Sequence, residues 1–495
     1  MASKIEQLKS RLYDVNALGA AISMMDWDQQ CFMPRGGAEA RAEHVGILSR
    51  MHHELQTSEE MGRLLDDAEA QSDEDTALLR VAKRDYDLAT KFPSSLVEEK
   101  SKLSSKAHED WVSARANNDF ETFAPTLERM VELARQEAEC LGYTDHIYTA
   151  LLDMYEEGAT KDDCDRMFNA IRGPLVQLVK DIKDSGNNPD DSFLYGDWDE
   201  TAQKNFTEML LGEIGFDMDR GRQDTAPHPF CSGWSASDIR LTTRYKNYLN
   251  SSIFGTLHEA GHGMYEQGSP MAWDRSPLGG GVSLGLHESQ SRLWENIVGR
   301  SRAFWQRFLP ELNEAFPGLK NPDLDTFLLA ANKVEPSLIG VEADEVTYNL
   351  HIMVRFEIEI AMLTGELKIK DLPDAWNAKY EEYLGITPDS NANGCLQDVH
   401  WSMGSLGYFP TYSMGNLLSY QIWKVLQKDL GDTDAMMTAG NFEPILTWLK
   451  DNVYSKGRYY TPKDLVMKIT GKPMGAEDYL EGIQAKYRQL YGLGI

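Results

Sequence analysis

Ten consecutive residues, Thr256-Leu257-His258-Glu259-Ala260-Gly261-His262-Gly263-Met264-Tyr265, constrain this chain more than any other stretch. Phe254, Leu257, Met264 and Tyr265 recur around them at helical spacing, which predicts a helix. Residues four apart on a helix lie one above the other on the same face. His258 and His262 therefore aim two imidazoles at one point, as a first-row metal ion requires. Glu259 lies one position round, suited to taking a proton from an activated water rather than to ligation. His-Glu-x-x-His reads as a zinc hydrolase, provided that a third protein ligand exists.

That ligand has a candidate downstream. Positions 268–286 hold Pro270, Pro277 and the run Gly279-Gly280-Gly281, the composition of a loop. A new helix is predicted to open at Leu286-His287-Glu288. Helix, loop and returning helix bring Glu288 beside His258 and His262. Two histidines and one glutamate leave a position open for water, the arrangement of a catalytic rather than a structural zinc. His287 points elsewhere on that helix and is expected as a hydrogen-bonding neighbour.

Composition narrows the class. Across 495 residues, 42% are hydrophobic and 26% charged, the balance of a globular protein. A formal charge of −29 repels nucleic acid and anionic membranes, so neither is an expected partner. No apolar run approaches the roughly 20 residues of a membrane span, and the first residues carry no signal-peptide core. Cys31, Cys140, Cys164, Cys231 and Cys395 are scattered and odd in number, which suits a reducing, cytoplasmic setting.

The remaining pattern is mainly α. Ile5, Leu8, Leu12, Val15, Leu18, Ile22 and Met25 mark a long first helix, with a break expected at 26–30 and a turn through 33–37. Helices are predicted near 38–55, 59–70, 74–90, 95–115, 121–141, 147–157 and 161–184. The rhythm lapses between 224 and 248. There Asp238-Ile239-Arg240-Leu241-Thr242-Thr243-Arg244-Tyr245 partly alternates, so a short β-hairpin or small sheet is expected beside the metal-site helix. Helices resume near 287–312, 323–335, 341–364, 371–382, 410–430, 441–453, 462–469 and 476–490. No linker divides the chain, so 1–495 is read as one large domain, consistent with two helical lobes flanking a cleft.

Several separate motifs agree with one family. They are His228-Pro229-Phe230, Asp238-x-Arg240-x-Thr242, the metal motif, and His287-Glu288-Ser289-Gln290. Gly394-x-x-Gln397-Asp398-x-His400-Trp401, the aromatic run 407–412, and Asp26-Trp27-Asp28-Gln29 with 33–37 complete the set. In this order the chain resembles the carboxypeptidase Taq, or thermostable carboxypeptidase 1, family of zinc metallocarboxypeptidases over nearly its whole length. The resemblance implies a large helical peptidase fold with a deep substrate cleft, a homodimer, and release of single residues from peptides with a free C-terminus. Zinc is the implied metal, with cobalt a possible substitute. In that mechanism Glu259 is the general base, and Tyr412, or second Tyr408, donates to the oxyanion. The alternative for either tyrosine is packing with its hydroxyl satisfied. Arg240 is the first candidate to read the substrate's α-carboxylate, with a structural ion pair to Asp238 or Asp344 as the alternative. His400 and His351 are candidates for contacts to the substrate backbone. Asp344 is a candidate partner for a ligand histidine, and Asp398 either orients His400 or caps a helix.

The chain departs from the family at Ile339-Gly340-Val341-Glu342-Ala343-Asp344, where glycine replaces the usual arginine and offers no donors to a carboxylate. Two other readings stay open at this level. One is an endo-acting zinc oligopeptidase. The other is a non-catalytic zinc protein that binds peptides, against which the intact Glu259 argues.

Overall fold

A computed structural model describes residues 3–494. The first helix, Lys4–Cys31, starts with a reciprocal capping box in which Ser3 and Glu6 satisfy each other's backbone N–H. It does not break at 26–30 as its sequence suggests. Trp27 is buried against Trp234, with ring centroids 6.5 Å apart, and Asp28 pairs with Arg41 of the next helix. Tertiary packing thus carries the helix to Cys31, nearly two turns beyond its own apolar pattern. The expected helices follow as Ala38–Gln56, Glu59–Asp67, Asp73–Lys91, Ser94–Asn117, Phe120–Leu141, Ile147–Asp153 and Lys161–Asp184.

Two further helices, Glu200–Ile214 and Thr433–Thr438, have no counterpart in the sequence expectation. For the longer one the signal was present. Asp199 caps it by accepting from the Ala202 N–H, Gly215 ends it with φ +92°, and Phe206, Leu210 and Ile214 line its buried face.

The small sheet is three-stranded, with β1 (Gly221–Thr225), β2 (Cys231–Ser235) and β3 (Asp238–Thr243) in the order β1-β3-β2. β3 runs parallel to β1, pairing Arg222 with Arg240, and antiparallel to β2, pairing Cys231 with Leu241. Alternation places Ile239 and Leu241 on one face of β3 and Arg240 on the other. The metal-site helix, Leu249–Gln267, rides on the Leu241 face. A Cβ on Gly263 would lie 2.7 Å from Leu241 Cδ2 and 2.8 Å from Phe216. Buried polar bonds fix its azimuth. The Thr256 hydroxyl donates to Gln223 Oε1 of β1 at 2.9 Å, and Ser252 donates to Gln203 Oε1 at 2.8 Å.

The body holds two large hydrophobic clusters. One gathers helices 120–141, 147–153, 161–184, 348–364, 372–384 and 477–491. The other gathers helices 200–214, 249–267, 302–315, 324–331 and 443–452. Helix Pro410–Leu430 belongs to both, giving Met414 and Leu417 to the first and Leu418, Ile422 and Leu426 to the second. A third, small cluster of Ile5, Leu8, Met61, Leu64, Leu78 and Val81 joins the N-terminal helices to Leu278.

The loop after the metal-site helix returns as helix Leu284–Arg292, antiparallel to it. The two backbones meet at Gly261, where a Cβ would fall 2.4 Å from Gln290 O and 2.5 Å from Ser291 Cα. Only glycine permits that approach. Gly261→Ala must push the helices apart, at an expected cost of about 1–3 kcal/mol. A lowered midpoint in chemical denaturation, together with reduced bound metal, is the expected result. A wild-type midpoint with full metal would show that the contact is soft.

Candidate metal centre

The metal-site helix is buried on nearly every side, and the face that carries His258 and His262 meets helix Leu284–Arg292. His258, His262 and Glu288 converge there, with their ligand atoms within 4.8 Å of one another. Glu288 Oε2 lies 3.8 Å from His258 Nε2 and 3.6 Å from His262 Nε2. These spacings approach the roughly 3.4 Å edge of a tetrahedron whose ligands stand about 2.1 Å from its centre. The donor set fits a divalent metal with an open fourth position.

Each ligand is held from behind. His258 Nδ1 lies 2.9 Å from Glu295 Oε2. That carboxylate sits in a π-helical turn, Leu293–Val298, and is bonded by Arg292 at 3.2 Å and Arg300 at 3.3 Å. His262 Nδ1 lies 2.6 Å from His287 Nδ1, and His287 Nε2 lies 2.7 Å from Glu266 Oε1. The network assigns the tautomers. His287 donates from Nε2 to Glu266 and accepts at Nδ1 from His262, while His258 donates from Nδ1 to Glu295. Both ligand histidines then present bare Nε2 lone pairs to one point. Glu288 uses its other oxygen, Oε1, to accept from Arg292 Nε at 2.6 Å. The Arg292 guanidinium lies 4.3 Å from the Tyr348 ring centroid.

Burial governs the charge states. It holds His262 well below the usual histidine range, helped by the positive fields of His287, His258 and Arg292. Burial also lowers His258, but Glu288 and Glu295 outweigh it and the net shift is upward. Glu259, 6% exposed, is pushed by burial up to about 7; His258 opposes this, and Glu288 and Glu295 add to it. A carboxyl poised near neutral pH suits proton transfer.

An aromatic wall stands on the far side of Glu288. Tyr408 and Tyr412 have ring centroids 5.3 Å apart, and Tyr348 lies 6.1 Å from Tyr412. Burial raises all three phenols and the Glu288 charge adds to it, so they stay neutral donors. His400 joins this wall, 5.6 Å from Tyr408 and 4.7 Å from Phe409, with its buried Nδ1 unpartnered. Gly415 makes room for Glu288, since a Cβ there would lie 2.5 Å from Glu288 Cβ. A cleft of about 410 Å³ between the first helix and a wall of Trp234, Trp273 and Gly280 reaches Glu266, one turn beyond His262.

Other expected residues stand elsewhere. Arg240 faces the first helix, not the triad. It bonds Asp238 at 2.9 and 3.0 Å and lies between Trp27 at 4.2 Å and Trp234 at 4.6 Å. Of its two readings, the ion pair with Asp238 is the one observed. His351 has no exposed surface; its Nδ1 lies 3.0 Å from the Tyr380 hydroxyl, so substrate cannot touch it in this arrangement. Asp344 closes the turn that leads into helix Tyr348–Thr364, accepting from the N–H groups of Val346 and Thr347 at 2.9 and 3.0 Å, rather than from a ligand histidine. Asp398 pairs with Arg355 at 2.8 Å.

Arg355 also explains what surrounds Gly340. Its guanidinium bonds Asp398, Gln397 and the His351 carbonyl. A Cβ on Gly340 would lie 2.9 Å from Arg355 Nη2 and 3.3 Å from its Cζ. A side chain at 340 therefore displaces a fully bonded buried guanidinium. Tyr348, Arg292, Glu295 and Glu266 went unnoticed in the sequence reading. Glu295 and Arg292 carried a signal, since they fall seven and four residues after Glu288 on one helical face. Tyr348 carried none.

Replacing Glu295 with Gln keeps the shape behind His258 but removes the charge that Arg292 and Arg300 share. Metal affinity is expected to fall about ten- to a hundredfold, as read by competition with a chelator. Unchanged affinity would show that His258 orients itself without this carboxylate.

The whole chain has close counterparts. Residues 7–487 match the family model described as carboxypeptidase Taq (M32) metallopeptidase. Thermostable carboxypeptidase 1 of Thermus thermophilus is 40% identical over 482 residues, 94% of each chain. Carboxypeptidase 1 of Bacillus subtilis is 39% identical over 477 residues, 95% of each. The crystal structure of the M32 carboxypeptidase from Deinococcus radiodurans superposes with a TM-score of 0.96 at 38% identity, covering 99% of both chains. With a candidate metal-ligand triad at its centre and this likeness from end to end, the chain belongs to the carboxypeptidase Taq (M32) family and is a metallocarboxypeptidase.

Proposed function

We propose that the metal is zinc, that Glu259 is the general base, and that the enzyme releases single residues from the free C-termini of peptides. The observation that carries this reading is the buried Glu259 beside three converging ligands of the two-histidine, one-carboxylate type. Zinc held there supplies Lewis acidity, polarising a carbonyl and lowering the pKa of a water toward about 7. Cobalt is compatible with the same nitrogen and oxygen donors.

Glu259 takes the proton of the attacking water and passes it to the leaving amine. Tyr412, seconded by Tyr408, donates to the developing oxyanion. A neutral phenol suits this task, and losing such a donor typically costs about 2.7–4 kcal/mol in the barrier. His400, with Nδ1 unpartnered beside both phenols, contacts the peptide backbone. Arg240 reads the α-carboxylate only through the Nη1 donors that Asp238 leaves free. The chain works as one domain of two lobes, supported by the helix that both hydrophobic clusters share. Five scattered free cysteines support a cytoplasmic setting, and family likeness supports a homodimer that acts on peptides.

Glu259→Gln should keep its zinc and lose turnover by roughly 10² or more. Near-normal turnover with zinc retained would assign the base to another group. His262→Ala should lose zinc and activity together while helical content stays, and full zinc in that variant would remove the central claim. Peptides amidated at the C-terminus should resist cleavage that their free acids undergo. Equal cleavage of both would favour an endo-acting oligopeptidase.

A further inference from the structure

Behind the metal centre lies a cavity of about 520 Å³ that the proposed reaction does not use. Its walls are apolar, formed mainly by Met167, Met414, Leu417, Leu418, Val466 and Met474. Methionine-rich walls adapt to aliphatic shapes, and the volume suits a small ligand. Glu156 lies on the wall as a buried carboxylate, 7% exposed. The cavity's other acids differ from it. Glu157 is neutralised by Arg80 and Arg84 at 3.5 and 3.7 Å, and Asp163 by Lys463 at 2.9 Å and by Arg166. Glu477 is exposed. Among the described residues no cation lies within 4.0 Å of Glu156. Glu156 is held by the Gly285 N–H and the Ser283 hydroxyl and feels Lys463 at longer range, yet no cation touches it, so an ammonium brought by a ligand finds a carboxylate without a direct ion pair.

Glu156 is also joined to the metal centre. Its Oε2 accepts from the Gly285 N–H at 2.8 Å, in the first turn of the helix that carries Glu288. Met414 stands between, on helix Pro410–Leu430, next to the Gly415 that faces Glu288.

We propose that this cavity binds free α-amino acids with apolar side chains, the ammonium on Glu156 and the side chain among the methionines. Lys463 and Arg166, already shared with Asp163, hold positive charge near the ligand's carboxylate. The choice of natural ligand rests on the release of single C-terminal residues, since such amino acids are then the product. An occupant competes with Gly285 for Glu156, loosens the first turn of the Glu288 helix and slows turnover without blocking the substrate cleft.

Two measurements test this, with L-leucine as the probe. The first is calorimetric titration into His262→Ala protein, which needs neither metal nor activity. Leucine and leucinamide should bind, and N-acetylleucine, lacking the ammonium, should not. Adding Glu156→Gln should weaken binding about tenfold or more, the loss of one charged hydrogen bond. Adding Met467→Trp, a larger side chain at a half-exposed position of the cavity lining, should abolish it without disturbing the fold. The second is initial-rate kinetics of the holoenzyme. Leucine should lower kcat in the wild type and leave kcat unchanged in Met467→Trp. No calorimetric binding overturns the site whatever the enzyme's specificity. Binding that survives both Glu156→Gln and Met467→Trp, or inhibition that raises KM alone, also overturns it.

Discussion

The candidate metal centre depends on how closely three helices approach one carboxylate. Glu288 sits where the backbone of its own helix presses on Gly261 from one side and its side chain lies against Gly415 on the other. Neither neighbour has a Cβ, so the packing distance is set by backbone atoms, which cannot change rotamer to absorb an error. Glu288 therefore meets two imidazoles on another helix at 3.6 and 3.8 Å without long, flexible reach. The site is precise because it is built on helices rather than loops.

That precision requires burying several charges together. Glu288, Glu295 and Glu266 stand against Arg292, Arg300 and three histidines in a nearly dry region. Isolated burial of any one of them would be costly, but Glu288 Oε1, both oxygens of Glu295 and Glu266 Oε1 each accept a directed hydrogen bond. The arginines serve both structure and electrostatics. Arg292 ties Glu288 to Glu295 and so couples one ligand to the group behind another, with Tyr348 beneath its face.

The centre was legible in the sequence because its logic is local. A four-residue step on one helix, a glycine-rich loop and a returning helix sufficed to place His258, His262 and Glu288 together. The mainly helical class and most helices were legible for the same reason, through periodicity. What failed needed partners distant in sequence. The first helix outran its expected end because Trp27 found Trp234. Trp27 likewise packs on Arg240, whose ion pair with Asp238 was one of its two readings, and His351 lies buried beside Tyr380. Helix Glu200–Ile214 was different: its cap and apolar spacing were on display, and the pattern was overlooked.

Helix Pro410–Leu430 gives residues to both large hydrophobic clusters while carrying Tyr412 and Gly415. The two halves of the body consequently share a rigid spine at the reacting centre, and opening between them cannot pass through it cheaply. The N-terminal helices have their own small cluster, which meets the body at Leu278, in addition to the Trp27–Trp234 contact and the Arg458–Asp85 ion pair. Leu278 lies in the loop leading to Glu288. A peptide that draws those helices inward would pull on the strap of chain between the second histidine and the third ligand, so admission of substrate and tightening of the metal centre would be one mechanical event.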